Sequence, residues 1–106
     1  MKRFLAATAL GALALSANAQ PWDGSAVGKV KTLDVTASEN FGFRVYLEGQ
    51  AMCTGGPSWA YVNGSDPSYK SYMSLLMLAR AMDKTVLIYS QRTGDYCKIG
   101  YVSMQP

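Results

Sequence analysis

The sequence predicts a mainly β domain with one helix, its elements in the order β-β-β-α-β-β. Two patterns carry this. Short segments that alternate apolar and polar residues are set apart by glycine, proline and asparagine, and only one segment repeats its apolar residues at helical spacing. A third observation bounds the size: a secretory leader over residues 1–19 leaves 87 residues, enough for a single domain over 20–106.

The leader shows three zones. Lys2 and Arg3 are basic, Phe4 to Leu15 is an apolar run, and Ser16-Ala17-Asn18-Ala19 supplies the small residues of an A-x-A cleavage site. The apolar run falls short of the roughly 20 residues that span a bilayer. No later stretch has that length without charges, so the sequence predicts export without a membrane span. The destination is the periplasm or the medium.

Gln20 to Ala26, with Pro21, Asp23 and Gly24, reads as an extended lead-in whose Trp22 packs on the domain. Val27 to Thr36 follows as the first strand, with Leu33 and Val35 alternating against Thr32 and Asp34. Ala37 to Asn40 is turn-like. The clearest strand is next: Phe41, Phe43, Val45 and Leu47 point one way, and Arg44, Tyr46 and Glu48 the other. Gly49 ends it, Gly55-Gly56-Pro57 marks a turn, and Trp59 to Val62 is a short third strand stopped by Asn63-Gly64.

The helix signal opens with Asp66 as N-cap and Pro67 at the first helical position, where its missing N–H costs nothing. Tyr72, Leu75, Leu76, Ala79 and Met82 form an apolar stripe running to about Asp83. Met73, Met77 and Leu78 broaden it, which predicts a well-covered helix. Thr85 to Ser90 is the fourth strand, Gln91 to Tyr96 a turn, and Cys97 to Met104 the fifth strand. Three strands, a helix and two strands match a small five-stranded Greek-key barrel of the OB-fold kind, its end plugged by Leu75, Leu76 and Ala79. An α+β sandwich shares this order, and periodicity does not separate the two.

Cys53 and Cys97 both lie beyond the leader, 44 positions apart, and an oxidising compartment predicts a disulfide between them. In the chain-entropy account such a crosslink contributes about 4 kcal/mol. The two cysteines and the absence of histidine leave too few ligands for a zinc shell, so no metal or cofactor is expected. Without the leader the net charge is +1, and the charges are scattered singly. No basic stripe remains to neutralise phosphates, which argues against nucleic-acid binding.

Catalysis has little to work with. No histidine is present to act as base, both cysteines are engaged, and the seven carboxylates are dispersed along the chain. The sequence therefore predicts a protein that is not an enzyme. Binding has more material: Tyr46, Trp59, Tyr61, Tyr89, Tyr96 and Tyr101 are more rings than a barrel this small can enclose.

Tyr72-Met73-Ser74-Leu75-Leu76-Met77-Leu78-Ala79-Arg80 resembles the aromatic-x-x-Leu-Leu-x-x-Ala-Arg helix of the subtilase cytotoxin B-subunit family. Trp22-x-Gly24, Leu33-x-Val35 and Val86-x-Ile88 agree with that family in order, so the resemblance extends over most of the chain beyond the leader. It implies an OB-fold, assembly into a pentamer, and binding of sialylated glycans. The loop after Trp-x-Gly is shorter here than in the family. Approximate alignment makes Ser25 and Tyr89 the nearest counterparts of the family's sugar-contacting positions. The expected function is an exported binding module for a glycan or protein ligand, with or without a toxic A subunit. The alternative is a structural or inhibitory envelope protein that docks on another protein through a barrel edge.

Overall fold

The computed structural model describes residues 22–106. The leader and its cleavage site lie outside the described residues. The protein is mainly β with one helix: β1 (Gly24–Val35), β2 (Phe43–Leu47), β3 (Trp59–Val62), α1 (Tyr69–Ala81), β4 (Thr85–Thr93) and β5 (Tyr96–Met104). The element order is the predicted one. β1 begins three residues before the expected Val27, because Gly24 to Lys29 pair in antiparallel register with Ser90 to Thr85 of β4. The last turn shrinks to Gly94-Asp95, since Thr93 and Tyr96 still face each other across the β4–β5 hairpin. Gly94 takes φ +65°, which a tight hairpin turn requires and a side chain resists.

The pairings run β1-β2-β3-β5-β4 and return to β1, so the five-stranded sheet closes on itself. β1 is long enough to serve two neighbours. Its first half bonds β4 and its second half bonds β2, with a bulge at Lys31 between the Val30 and Thr32 pairings. Closure between β3 and β5 is parallel and rests on two registered pairs, Ala60 with Cys97 and Tyr61 with Lys98. Cys53 lies at disulfide distance from Cys97 at this seam, their Cα atoms 5.7 Å apart. The crosslink therefore sits where the sheet has fewest backbone bonds.

Phe43, Val45 and Leu47 point into the core as the period of two predicted, meeting Ala60, Val62, Val86, Ile88 and Ile99 from the other strands. Phe41 does not join them. It takes φ +55°, and its N–H, 2.8 Å from Asn63 Oδ1, anchors it to the loop after β3. The next residue, Gly42, is buried against the Ser38 backbone with no room for a side chain. The chain thus turns before β2 begins and carries the Phe41 ring to the outer face. Val35 also departs from expectation: the last residue of β1, it is 67% exposed.

The helix starts at Tyr69, not at Pro67. Asp66 is not its N-cap: Oδ1 accepts the Ser68 N–H (2.8 Å) and its carbonyl accepts the Tyr69 N–H (3.0 Å), closing a turn ahead of the helix. Helix α1 ends in a Schellman arrangement, with Lys84 N–H donating to the Ala79 carbonyl (2.9 Å) and Asp83 N–H to that of Arg80 (3.2 Å). Asp83 takes the left-handed position (φ +55°) usually held by glycine, and its carboxylate pairs with Lys29 Nζ at 2.9 Å.

Only Leu76 and Ala79 of the helix are fully buried, with Tyr69, Tyr72 and Met73 packed beside them. The well-covered helix is corrected here: Met77, Leu78 and Met82 are each about half exposed, because the sheet covers one side of α1 alone. Arg80 reaches back to the carbonyls of Val30 and Lys31 and so satisfies the backbone that the β1 bulge leaves unpaired. Leu76, Ala79 and Arg80 thereby have one joint role, seating the helix on the closed sheet.

Candidate functional site

Six aromatic residues were the binding candidates of the sequence, and the structure divides them between two places on the outer face. Tyr46, Trp59, Tyr61 and Tyr96 gather with Phe41 over β2 and β3. Their rings meet edge-on or tilted at 4.6 to 6.5 Å, the geometry aromatic pairs prefer. The Arg44 guanidinium lies 5.0 Å from the Trp59 ring and donates to the carbonyls of Phe41 and Asn40. Tyr61 is buried in this group at 5% exposure. The cluster packs around Tyr61, while Tyr96 at its edge stays 38% exposed.

Tyr89 and Tyr101 belong to the other group. They face each other across β4 and β5 with ring centroids 5.2 Å apart, and Trp22 stacks on Tyr89 at 6.1 Å with an interplanar angle of 11°. Ser25 is the direct register partner of Tyr89 across β1 and β4. Trp22, Asp23, Gly24, Ser25 and Tyr89 together line a cleft of about 560 Å³. The two residues chosen by alignment therefore lie side by side in one concavity. That volume is within the usual range of small-ligand sites.

Two glycines make this cleft possible. Gly100 is passed over in the β4–β5 register, where Tyr89 pairs with Tyr101 but Ser90 pairs with Ile99. The bulge puts Gly100 and Tyr101 next to each other on the outer side, and a Cβ on Gly100 would overlap the Trp22 indole. Gly24 passes so close to Met52 and Cys53 that a Cβ there would strike their backbone. In the Trp22-x-Gly24 motif, the glycine seats the strand start on the crosslinked loop, and the tryptophan covers the bulge.

Asp23, between them, is held from three sides. Its N–H donates to the Ser90 carbonyl (2.9 Å), its own carbonyl accepts from Thr54 N–H (3.0 Å) and hydroxyl (2.7 Å), and Oδ2 accepts the Arg92 N–H (2.8 Å). These bonds fix the segment that carries Trp22, so the cleft exists before any ligand arrives. Sequence reasoning placed Trp22 on the domain but did not assign it or Asp23 to a site. The signal it passed over was Gly100, a lone glycine inside an otherwise regular strand, which marks a bulge or a close approach.

A second, polar cleft of about 440 Å³ lies near the start of α1, where Lys98 Nζ and Asp66 Oδ2 are 3.6 Å apart. Among the described residues no three His, Cys, Asp or Glu side chains converge as metal ligands, and no helix is long and apolar enough to cross a membrane.

No family model matches the sequence, and neither a curated protein nor a solved structure matches it.

Proposed function

We propose that this chain is an exported, non-enzymatic binding module of the OB-fold type, similar to the B subunits of the subtilase cytotoxin family, and that it seats a glycan at the Trp22–Tyr89 cleft. One observation carries the reading. Ser25 and Tyr89 are register partners, and they share a cleft with the Trp22 indole. The arrangement suits a sugar ring: aromatic faces cover its C–H side while a serine and a tyrosine hydroxyl bond its polar edge. The closed order of five strands, with a helix between the third and fourth, supports the OB-fold assignment.

A single site of this kind binds weakly, and assembly into a ring would multiply its effect through avidity. By the family resemblance that ring is a pentamer, which native mass measurement checks directly. The functional test is a glycan titration of wild type, Ser25→Ala and Tyr89→Ala at matched oligomeric state. Binding by the wild type that falls in both variants supports the site. Equal binding by all three moves the ligand elsewhere.

A second reading rests on the half-exposed Met77, Leu78 and Met82 on one side of α1. An apolar surface of that kind suits an envelope protein that docks on another protein. Stable capture of one protein partner, lost in Leu78→Ser while glycan binding is null, would favour it.

A further inference from the structure

We infer that the Trp22–Tyr89 cleft prefers uncharged sugars and disfavours glycans that end in a carboxylate, an inference that rests on the glycan reading of this cleft. Its lining contains one charged side chain, Asp23, and neither lysine nor arginine. A sugar carboxylate entering here would lose water beside a like charge, with no counter-charge to replace that water. A neutral sugar meets the opposite situation. Asp23 Oδ2 already accepts the Arg92 N–H, which leaves Oδ1 as an acceptor for a sugar hydroxyl, a charge-assisted bond.

The Arg92 N–H holds the carboxylate at Oδ2, and backbone bonds hold the residue that carries it. Its residue is tied through its own N–H to Ser90 and through its carbonyl to Thr54. The guanidinium of Arg92, whose N–H meets Asp23, is engaged elsewhere. The Arg92 guanidinium donates from Nε to the Gly94 carbonyl (2.9 Å) and from Nη1 to that of Thr54 (3.1 Å), with Nη2 3.7 Å from Asp95. The shape of the cleft thus agrees with the sugar-binding position the family resemblance implies, while its charge argues for a different sugar.

The test pairs two glycans that are identical except for a terminal sialic acid, titrated into full-length mature protein and followed by tryptophan fluorescence. The galactose-ended glycan should bind about five- to tenfold more tightly, the scale of one like-charge contact at about 4 Å when the acidic group, like Asp23, stays exposed to water. That gap should narrow at high salt and narrow again in Asp23→Asn, which keeps an acceptor for Arg92 N–H and should melt with the wild type. Equal or tighter binding of the sialylated glycan would overturn the inference and leave the glycan site standing. So would a gap that neither salt nor Asp23→Asn changes. Binding of neither glycan would remove both the glycan reading and the preference built on it. The salt comparison uses wild-type protein alone, so the outcome does not depend on the variant folding.

Discussion

The indole of Trp22 lies over Gly100, in the space a side chain at that position would fill. The contact joins the two ends of the described chain. It also sets the tryptophan flat against Tyr89, so the cleft depends on a residue that does not line it.

If the cleft seats a glycan as proposed, Gly100→Ala should abolish that binding while the protein still folds. The added methyl forces the indole off its seat at about 1–3 kcal/mol, as overpacking does elsewhere. In a Trp59→Phe background the only remaining tryptophan of the described residues is Trp22, so its emission should shift to the red in Gly100→Ala. An unchanged spectrum with retained binding would show that Trp22 is not positioned by Gly100.

Arg80→Ala should lower stability by about 1.5–3 kcal/mol, the range for hydrogen bonds made by a charged group. Its guanidinium serves the carbonyls of Val30 and Lys31 at the β1 bulge, and removal leaves that backbone short of a donor. Urea unfolding should show a lower midpoint at unchanged slope, with partial recovery in Arg80→Lys. A midpoint equal to wild type would mean water replaces the arginine there.

Leu76→Asp should prevent folding, whereas Lys70→Asp should change the melting temperature little. Leu76 is fully buried in the core and Lys70 is exposed on the same helix. An unpaired carboxylate at the first site would have to shed its water without compensation. Soluble expression and melting curves of the two variants read this out, and similar behaviour would contradict the packing of α1.

Cys53→Ser or Cys97→Ser should each lower stability by about 2–5 kcal/mol, the usual effect of losing a native crosslink from a domain this small. The parallel seam beside it has two registered pairs and would carry closure alone. Peptide mapping without reductant should recover the two cysteines joined. Recovery as free thiols would refute the crosslink.

Glu39 gives the fold a dependence on acid. The Ser65 hydroxyl donating to its carboxylate (2.8 Å) holds its pKa below the ordinary value of 4.5, opposed by desolvation and helped by the Ser65 N–H and the Ser38 hydroxyl. A lowered folded-state pKa means the unfolded chain takes up the proton first. The stabilisation is therefore complete above about pH 4.5 and fades as the pH falls through the folded value. Melting temperatures of wild type and Glu39→Gln should differ at neutral pH and converge in acid. A gap that stays constant would assign the difference to something other than this titration.

Much of the architecture was readable because it follows local periodicity. Phe43, Val45 and Leu47 alternate with Arg44 and Tyr46, and a strand with one face on the core has no other way to lie. Trp59 to Val62 was bounded correctly because Asn63-Gly64 stops it. Readings that depended on tertiary packing went astray. Phe41 continues the alternation on paper, yet Asn63 and the closeness of Gly42 to Ser38 turn it away. Asp66 has the chemistry of an N-cap but uses it two residues early. Helix periodicity marks Met82 as part of a stripe, but no neighbour comes from the sheet to cover it. Of the residues that line the cleft, the resemblance pointed to Ser25 and Tyr89, whereas Trp22 comes to it over a bulge whose one local sign is the lone Gly100.

The loop that carries Cys53 gives the cleft a chemical reporter. Gly56 packs directly on both sulfur atoms, and the two cysteines are buried, so a thiol reductant has no line of approach until residues 52–57 open. That opening must break the bonds from Thr54 to the Asp23 carbonyl, which also hold the wall of the cleft. Anything that settles against Asp23 and Trp22 keeps the loop shut. The half-time of sulfhydryl release under reductant then measures occupancy some distance from the ligand, with no label attached to either.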